Sequence, residues 1–98
     1  MRIRNAATLA GHGNIAGRET LLQILEAGLQ AADPYANTRK LVRVEGNQLI
    51  VGGQEFEPAG TPISHTDVFD LNKVRRIIVI GACKGVQHVA KALEDVLG

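Results

Sequence analysis

The chain has 98 residues, a formal net charge of +1 at pH 7 and only 3% aromatic residues, so it is one small domain without the basic, aromatic surface typical of nucleic-acid binding. Its single cysteine excludes an internal disulfide and gives no sign of an oxidising compartment. No apolar run has the length of a membrane span or of a signal peptide. We therefore expect a cytoplasmic protein that binds neither a membrane nor a nucleic acid.

The first third of the chain is typical of helical structure. Residues 2–17 are rich in glycine and are interpreted as an arm. Apolar residues then recur at intervals of three and four, which predicts a helix over Arg18–Ala32. The apolar positions are Leu21, Leu22, Ile24, Leu25 and Leu29. Asp33 ends this helix, and Pro34 suits the first position of a second, short helix that reaches about Lys40.

The middle of the chain changes its period. Over Leu41–Val51 apolar and charged residues alternate around Gly46-Asn47, which predicts a β-hairpin. Gln54–Phe56 is interpreted as a resumption of the second strand, and 58–67 as a loop.

The last third predicts a strand, a turn and a helix. Ile77–Ile80 is a short apolar run of the kind found in strands buried on both faces of a parallel sheet. Gly81–Gly85 forms the turn, and Val86–Leu97 is an amphipathic helix in which Lys91 and Asp95 can pair. The predicted fold class is therefore α/β: the amino-terminal part of a Rossmann-like three-layer domain, with a β-hairpin and a buried parallel strand followed by a helix. The chain ends before a partner strand appears, so we expect it to be part of a longer protein.

The turn is the candidate site. A tight turn from a strand into a helix leaves backbone N–H groups that attract anions such as phosphate, and Lys84 adds a positive charge. The spacing is neither that of a P-loop nor that of a dinucleotide-binding fingerprint. The residues alone leave two interpretations open: a phosphate site formed by Gly81, Ala82, Cys83, Lys84 and Gly85, or an ordinary turn with a solvated lysine.

Three stretches, taken in order, resemble the start of bacterial glycerate 2-kinases, whose carboxyl-terminal domain carries the MOFRL motif. These stretches are Ile24–Pro34, Ile77–Lys84 and Val89–Glu94. The resemblance implies that residues 1–98 are the amino-terminal portion of the nucleotide-binding-type α/β domain of a longer two-domain enzyme, and that this portion is inactive alone. The implied reaction is phosphorylation of D-glycerate to 2-phosphoglycerate with ATP and a divalent metal such as Mg²⁺.

By position, the resemblance implies that Lys84 is the catalytic lysine of the active cleft. Cys83 departs from the pattern, which usually has glycine there. Some similar proteins are labelled hydroxypyruvate reductase, so an NAD(P)H-dependent reductase is one alternative function, although the glycine fingerprint is broken at Cys83. A non-catalytic phosphate-binding module is the other.

The remaining polar residues have simpler interpretations. Cys83 is interpreted as a small turn residue rather than a nucleophile, since no partner base lies near it in sequence. His12, His65 and His88 match no zinc spacing, so no metal ligand is assigned. Arg75-Arg76 is interpreted as solvated charge rather than a phosphate clamp. Because Ile77–Ile80 would have an unpaired edge, we also expect the chain to self-associate.

Overall fold

The computed structural model describes residues 2–61 and 66–98, and the chain divides into two units between Asp33 and Pro34. The first unit contains two helices, α1 (Ala6–Ala10) and α2 (Ile15–Ala31). The second unit contains, in chain order, α3 (Pro34–Leu41), β1 (Val42–Glu45), β2 (Gln48–Val51), β3 (Asp67–Asp70) and α4 (Val86–Leu97), with short 3₁₀ turns at Gln54–Phe56 and Leu71–Lys73. None of the helices in the described residues is long and apolar enough to cross a membrane.

Helix α2 confirms the first predicted helix but begins three residues earlier. Asn14 caps it, because its side-chain Oδ1 accepts a hydrogen bond of 3.0 Å from the backbone N–H of Gly17. The interpretation of 2–17 as an arm is therefore wrong in part: it missed this cap and the five residues of α1. Leu22 is the buried apolar residue of this unit, and α1 packs against α2.

Glu26 is the buried charged residue of α2. Its carboxylate accepts hydrogen bonds from the backbone N–H of Arg2 at 2.6 Å and of Ile3 at 3.0 Å, and from the side chain of Gln30 at 3.3 Å. These donors, the Arg2 N–H foremost, lower the pKa of Glu26 although burial acts in the opposite direction. The carboxylate thus anchors the start of the chain to the middle of α2.

The second unit is built on an antiparallel sheet with the strand order β1-β2-β3. The predicted hairpin is confirmed: Val42 pairs with Val51 and Glu45 with Gln48 around the Gly46-Asn47 turn. β3 then pairs with β2, with Asp70 opposite Gln48. Only Asp67, the first residue of β3, lies in the stretch interpreted as a loop, and no prediction covers the other three residues. The four residues of β3, Asp-Val-Phe-Asp, are too few to carry a clear alternating signal.

Two further predictions of the middle region have different outcomes. Gln54–Phe56 does not resume the strand, because it forms a 3₁₀ turn whose Phe56 N–H returns to the carbonyl of Gly53 at 3.0 Å. Residues 58–61 are irregular, as expected of a loop, and 62–65 lie outside the described residues.

Helices α3 and α4 pack against each other, and α4 also contacts β1. Ala92 of α4 is fully buried, and Ile50 of β2 is the other buried apolar side chain of this unit. Both predicted helices are confirmed, with Pro34 at the first position of α3. The predicted pair on α4 is also present, since Lys91 Nζ lies 2.7 Å from Asp95 Oδ1.

The predicted parallel strand is wrong. Every strand pairing among the described residues is antiparallel, and Ile77–Ile80 belongs to none of them. Its four side chains are exposed rather than buried. A run of β-branched residues predicts extended backbone, but a strand also needs a neighbouring strand with which to share hydrogen bonds. The described residues thus form a mixed α and β fold with a small antiparallel sheet, and they contain no Rossmann-like parallel layer.

Candidate phosphate-binding turn

The turn over Gly81–Gly85 joins residues 76–80, which lie in no helix or paired strand, to α4. Gly81 is required at its start by a close approach: a Cβ at this position would collide with Cγ2 of Val86, the first residue of α4. Any other residue would push the helix away from the preceding segment. Gly81 therefore fixes how closely the chain returns to the N-terminus of α4.

Two residues of the turn have left-handed backbone. Cys83 has φ 77° and Gly85 has φ 89°, whereas Lys84 between them does not have positive φ. Left-handed residues in a turn can direct neighbouring N–H groups towards one concavity, a geometry that suits anions. Cys83 is the one non-glycine residue with positive φ in the described part of the chain. This conformation costs a side-chain-bearing residue about 1–2 kcal/mol.

The N-terminus of α4 is open. Gly85 stands at the N-cap position and offers no side chain, and the first turn contains no acidic residue. The first N–H groups of a helix have no acceptor within the helix, and the helix dipole adds partial positive charge at this end. α4 has 12 residues, enough for both effects. This end of the helix therefore favours an anionic ligand.

Lys84 is the cation next to this helix end. It is exposed, and within the described residues no hydrogen bond or ion pair engages it. Lys91, the other lysine nearby in sequence, is instead occupied by Asp95 and Glu94, and the hydrogen bond to Asp95 raises its pKa first of all. Of these two lysines, Lys84 is therefore the one whose ammonium group is available to bind a ligand at the turn.

The five candidate residues of the turn are neighbours in sequence and share the same exposed position. All five residues from Gly81 to Gly85 are exposed and adjacent, so the turn does not form an enclosed pocket by itself. The thiol of Cys83 is free and exposed. The left-handed conformation of Cys83 was not predicted from the sequence. The glycine usual at this position in the resembled family was the signal, because glycine adopts positive φ without strain.

The other candidates stay apart from the turn or lie in solvent. His12 and His88 are exposed, and His65 lies outside the described residues. Among the described residues no group of three or more histidine, cysteine or acidic side chains converges to form a metal site. Arg75 and Arg76 are exposed and precede Ile77–Ile80 in the segment before the turn.

Comparison with known proteins gives the family. A family model described as "Domain of unknown function (DUF4147)" matches residues 20–98, a range that contains the whole turn and α4. The chain belongs to the DUF4147 family. Over 80 residues it is also 31% identical to a protein of Pyrococcus horikoshii named Glycerate 2-kinase. Together these findings confirm the resemblance to glycerate 2-kinases that the sequence indicated.

The alignment with the Pyrococcus relative covers 82% of this chain and 15% of the relative. The DUF4147 chain thus spans about 15% of the length of the curated relative that it matches. No solved structure matches the chain significantly.

Proposed function

We propose that this chain is the amino-terminal portion of an ATP-dependent kinase that phosphorylates D-glycerate to 2-phosphoglycerate, and that it contributes the turn Gly81–Gly85 to the phosphate site. The observation that carries the proposal is the uncapped N-terminus of α4 beside the unengaged ammonium of Lys84, within the region matched by the family model. The named activity of the Pyrococcus relative supplies the reaction class.

The chemistry of the turn fits the phosphates of ATP. The open N–H groups of α4 would bind phosphate oxygens, and Lys84 would neutralise charge on the transferring phosphoryl group. ATP supplies that group when bound. Because no metal-ligating cluster occurs in the described residues, the ligands of Mg²⁺ belong to other parts of the whole enzyme under this proposal. The chain by itself is then inactive.

Cys83 has a defined place in this proposal. The backbone at residue 83 is already left-handed, as a glycine there would be, so its N–H can serve the same concavity. The thiol adds bulk on the exposed side of the turn. Cys83 therefore modifies access to the phosphate site and does not act as a nucleophile.

The test is a phosphorylation assay on the whole protein that carries these residues, with ATP, Mg²⁺ and D-glycerate. Lys84→Ala should lower kcat by about 100-fold or more, as expected when one preorganised charge is lost from the transition state. Lys73→Ala, which removes an exposed lysine outside the turn, is the matched control and should keep full activity. NMR of the phosphorylated product distinguishes 2-phosphoglycerate from 3-phosphoglycerate.

Two outcomes would overturn the proposal. Oxidation of NADH or NADPH with hydroxypyruvate, without phosphoryl transfer from ATP, would establish the reductase instead. Phosphate binding that Lys84→Ala abolishes, with neither activity in the whole protein, would establish a non-catalytic phosphate-binding module.

A further inference from the structure

The start of the chain is attached to α2 by polar contacts. Glu26 is 7% exposed, and its two carboxylate oxygens bind different donors. Oε1 accepts a hydrogen bond of 2.6 Å from the backbone N–H of Arg2, and Oε2 accepts one of 3.0 Å from that of Ile3. The guanidinium of Arg2 also lies 3.3 Å from Oδ1 of Asp33. Arg2 and Ile3 therefore lie beside the second half of α2.

Helix α1 adds little burial to this attachment. None of its five residues is buried. Small side chains of α1 and three side chains of α2 line a groove of 370 Å³, so the contact between the two helices is incompletely filled. The lining residues are Ala6, Ala7, Ala10, Glu19, Leu22 and Gln23.

The hydrogen bonds of Glu26 are the strongest polar contacts of this region. The other side-chain contact between α1 and α2 is an exposed hydrogen bond of 3.1 Å from Arg18 to the carbonyl of Leu9. Hydrogen bonds in which one partner is charged are roughly twice as strong as those between neutral groups, and exposure to water weakens an ionic contact further. The carboxylate of Glu26 therefore holds the start of the chain in place.

We propose that residues 2–10 form a strap that opens from α2 as one unit while α2 stays folded, and that Glu26 is the residue that keeps it closed. Opening breaks the two hydrogen bonds of the carboxylate and uncovers the face of α2 that carries Leu22 and Glu26. The strap is thus a conformational device of the first unit, and its opening is independent of the catalytic function proposed above.

The strap opens as one unit because α1 cannot persist alone. A helix of five residues has too few internal hydrogen bonds to offset the cost of its first turn. Helix α2 is different: it has 17 residues, its own Asn14 cap and hydrogen bonds that lie within the helix. The range matched by the family model, 20–98, contains Glu26 but begins after the strap. Release of residues 2 and 3 should therefore melt α1 and spare α2.

Limited digestion with trypsin tests the strap, because cleavage follows the population of the locally open form. Arg4 lies in the strap and Arg18 lies in α2, so the two sites report on the two elements separately. Glu26→Gln keeps the size of the side chain but leaves one acceptor oxygen for two donors. We expect it to accelerate cleavage after Arg4 by about tenfold and to leave cleavage after Arg18 unchanged.

Glu19→Gln is the matched control. It makes the same chemical change on the same helix, at an exposed residue that lines the groove beside α1. Both cleavage rates should stay at their wild-type values, and circular dichroism verifies that both variants keep their helices. Equal cleavage after Arg4 in Glu26→Gln and the wild type would overturn the proposal. Faster cleavage at both arginines would also overturn it, because the whole unit would then open together.

Hydrogen exchange of the wild-type chain provides a test that needs no variant. The amide of Ile3 donates to Glu26, and the amide of Leu9 donates to the carbonyl of Asn5 at 3.0 Å within α1. If the strap opens as one unit, NMR should find the same protection factor at both amides and a higher one at Leu25 in the middle of α2. Clearly different protection of Ile3 and Leu9 would mean that the chain start frays residue by residue, which contradicts the strap.

Discussion

The hydroxyl of Tyr35 on α3 donates a hydrogen bond of 2.6 Å to Oδ2 of Asp95 on α4, 60 residues away in sequence. Lys91 holds the other carboxylate oxygen at 2.7 Å, and Arg39 donates to the same tyrosine oxygen at 3.2 Å. The hydrogen bonds from Lys91 and then Tyr35 lower the pKa of Asp95. This cluster joins the two helices at the end of α4 opposite the candidate phosphate site.

Tyr35→Phe should destabilise the second unit, because it removes the hydroxyl and keeps the ring. We expect the free energy of unfolding to fall by about 1 kcal/mol, the typical net value of one hydrogen bond. Urea denaturation followed by circular dichroism measures it. Glu94→Gln is the control, since it removes only the longer, exposed contact of 3.4 Å with Lys91. A Tyr35→Phe chain as stable as the wild type would show that the bond contributes nothing.

The anchor at Glu26 should respond to acid. Its pKa is lower in the folded chain than its ordinary value, so its contribution to stability is fully present above that ordinary value. The contribution is lost as the pH falls through the lowered folded pKa. We therefore expect the amide of Ile3 to lose its protection from hydrogen exchange in this acidic range, after correction for the intrinsic exchange rate.

The matched control for this titration is the amide of Gly17, which donates to the uncharged side chain of Asn14 in the same unit. It has no titrating acceptor, so its protection should persist while that of Ile3 declines. Measurement by NMR at residue resolution separates the two amides. Parallel loss at both would mean that acid unfolds the whole unit, which contradicts a local role for Glu26.

Gly81→Ala should destabilise the chain because the new Cβ collides with the side chain of Val86. Overpacking of this kind costs about 1–3 kcal/mol. Val86→Ala should relieve the collision, so the double variant should be more stable than the sum of the two single changes predicts. Gly53→Ala is the control: its backbone is extended and its Cβ would make only ordinary contacts, starting at 3.5 Å with Phe56. Strict additivity of the two changes would contradict the contact.

Much of the fold was predictable where a signal lies within a few residues. Pro34 predicted the start of α3, and Gly46-Asn47 predicted the turn of the hairpin. The apolar residues on one face of α4 predicted that helix. The sequence failed where the outcome depends on distant partners: β3 is too short to stand out, and Ile77–Ile80 has strand residues but no neighbouring strand. For the candidate site, the position of the turn was predictable, while the conformation of Cys83 was not.

Cys83→Gly should raise the stability of the chain. Relief of the left-handed strain is worth about 1–2 kcal/mol, and the greater freedom of glycine in the unfolded chain offsets about 0.5–1 kcal/mol of it. We expect a net gain of up to roughly 1.5 kcal/mol from these two terms, measured as a higher urea midpoint. Gly85→Ala is the converse control, because it places a side chain at φ 89° and should destabilise the chain. A destabilised Cys83→Gly chain would mean that the thiol makes a stabilising contact.

Arg75 and Arg76 immediately precede the most apolar stretch of the chain, which bears on its tendency to aggregate. Six-residue stretches of high β-propensity without charge are the sequences from which amyloid fibrils grow, by stacking many identical strands in register. Such a stack here would build two columns of positive charge along the whole fibril, at a cost that increases with every added copy. The arginines therefore act as gatekeepers that oppose the growth of such a stack.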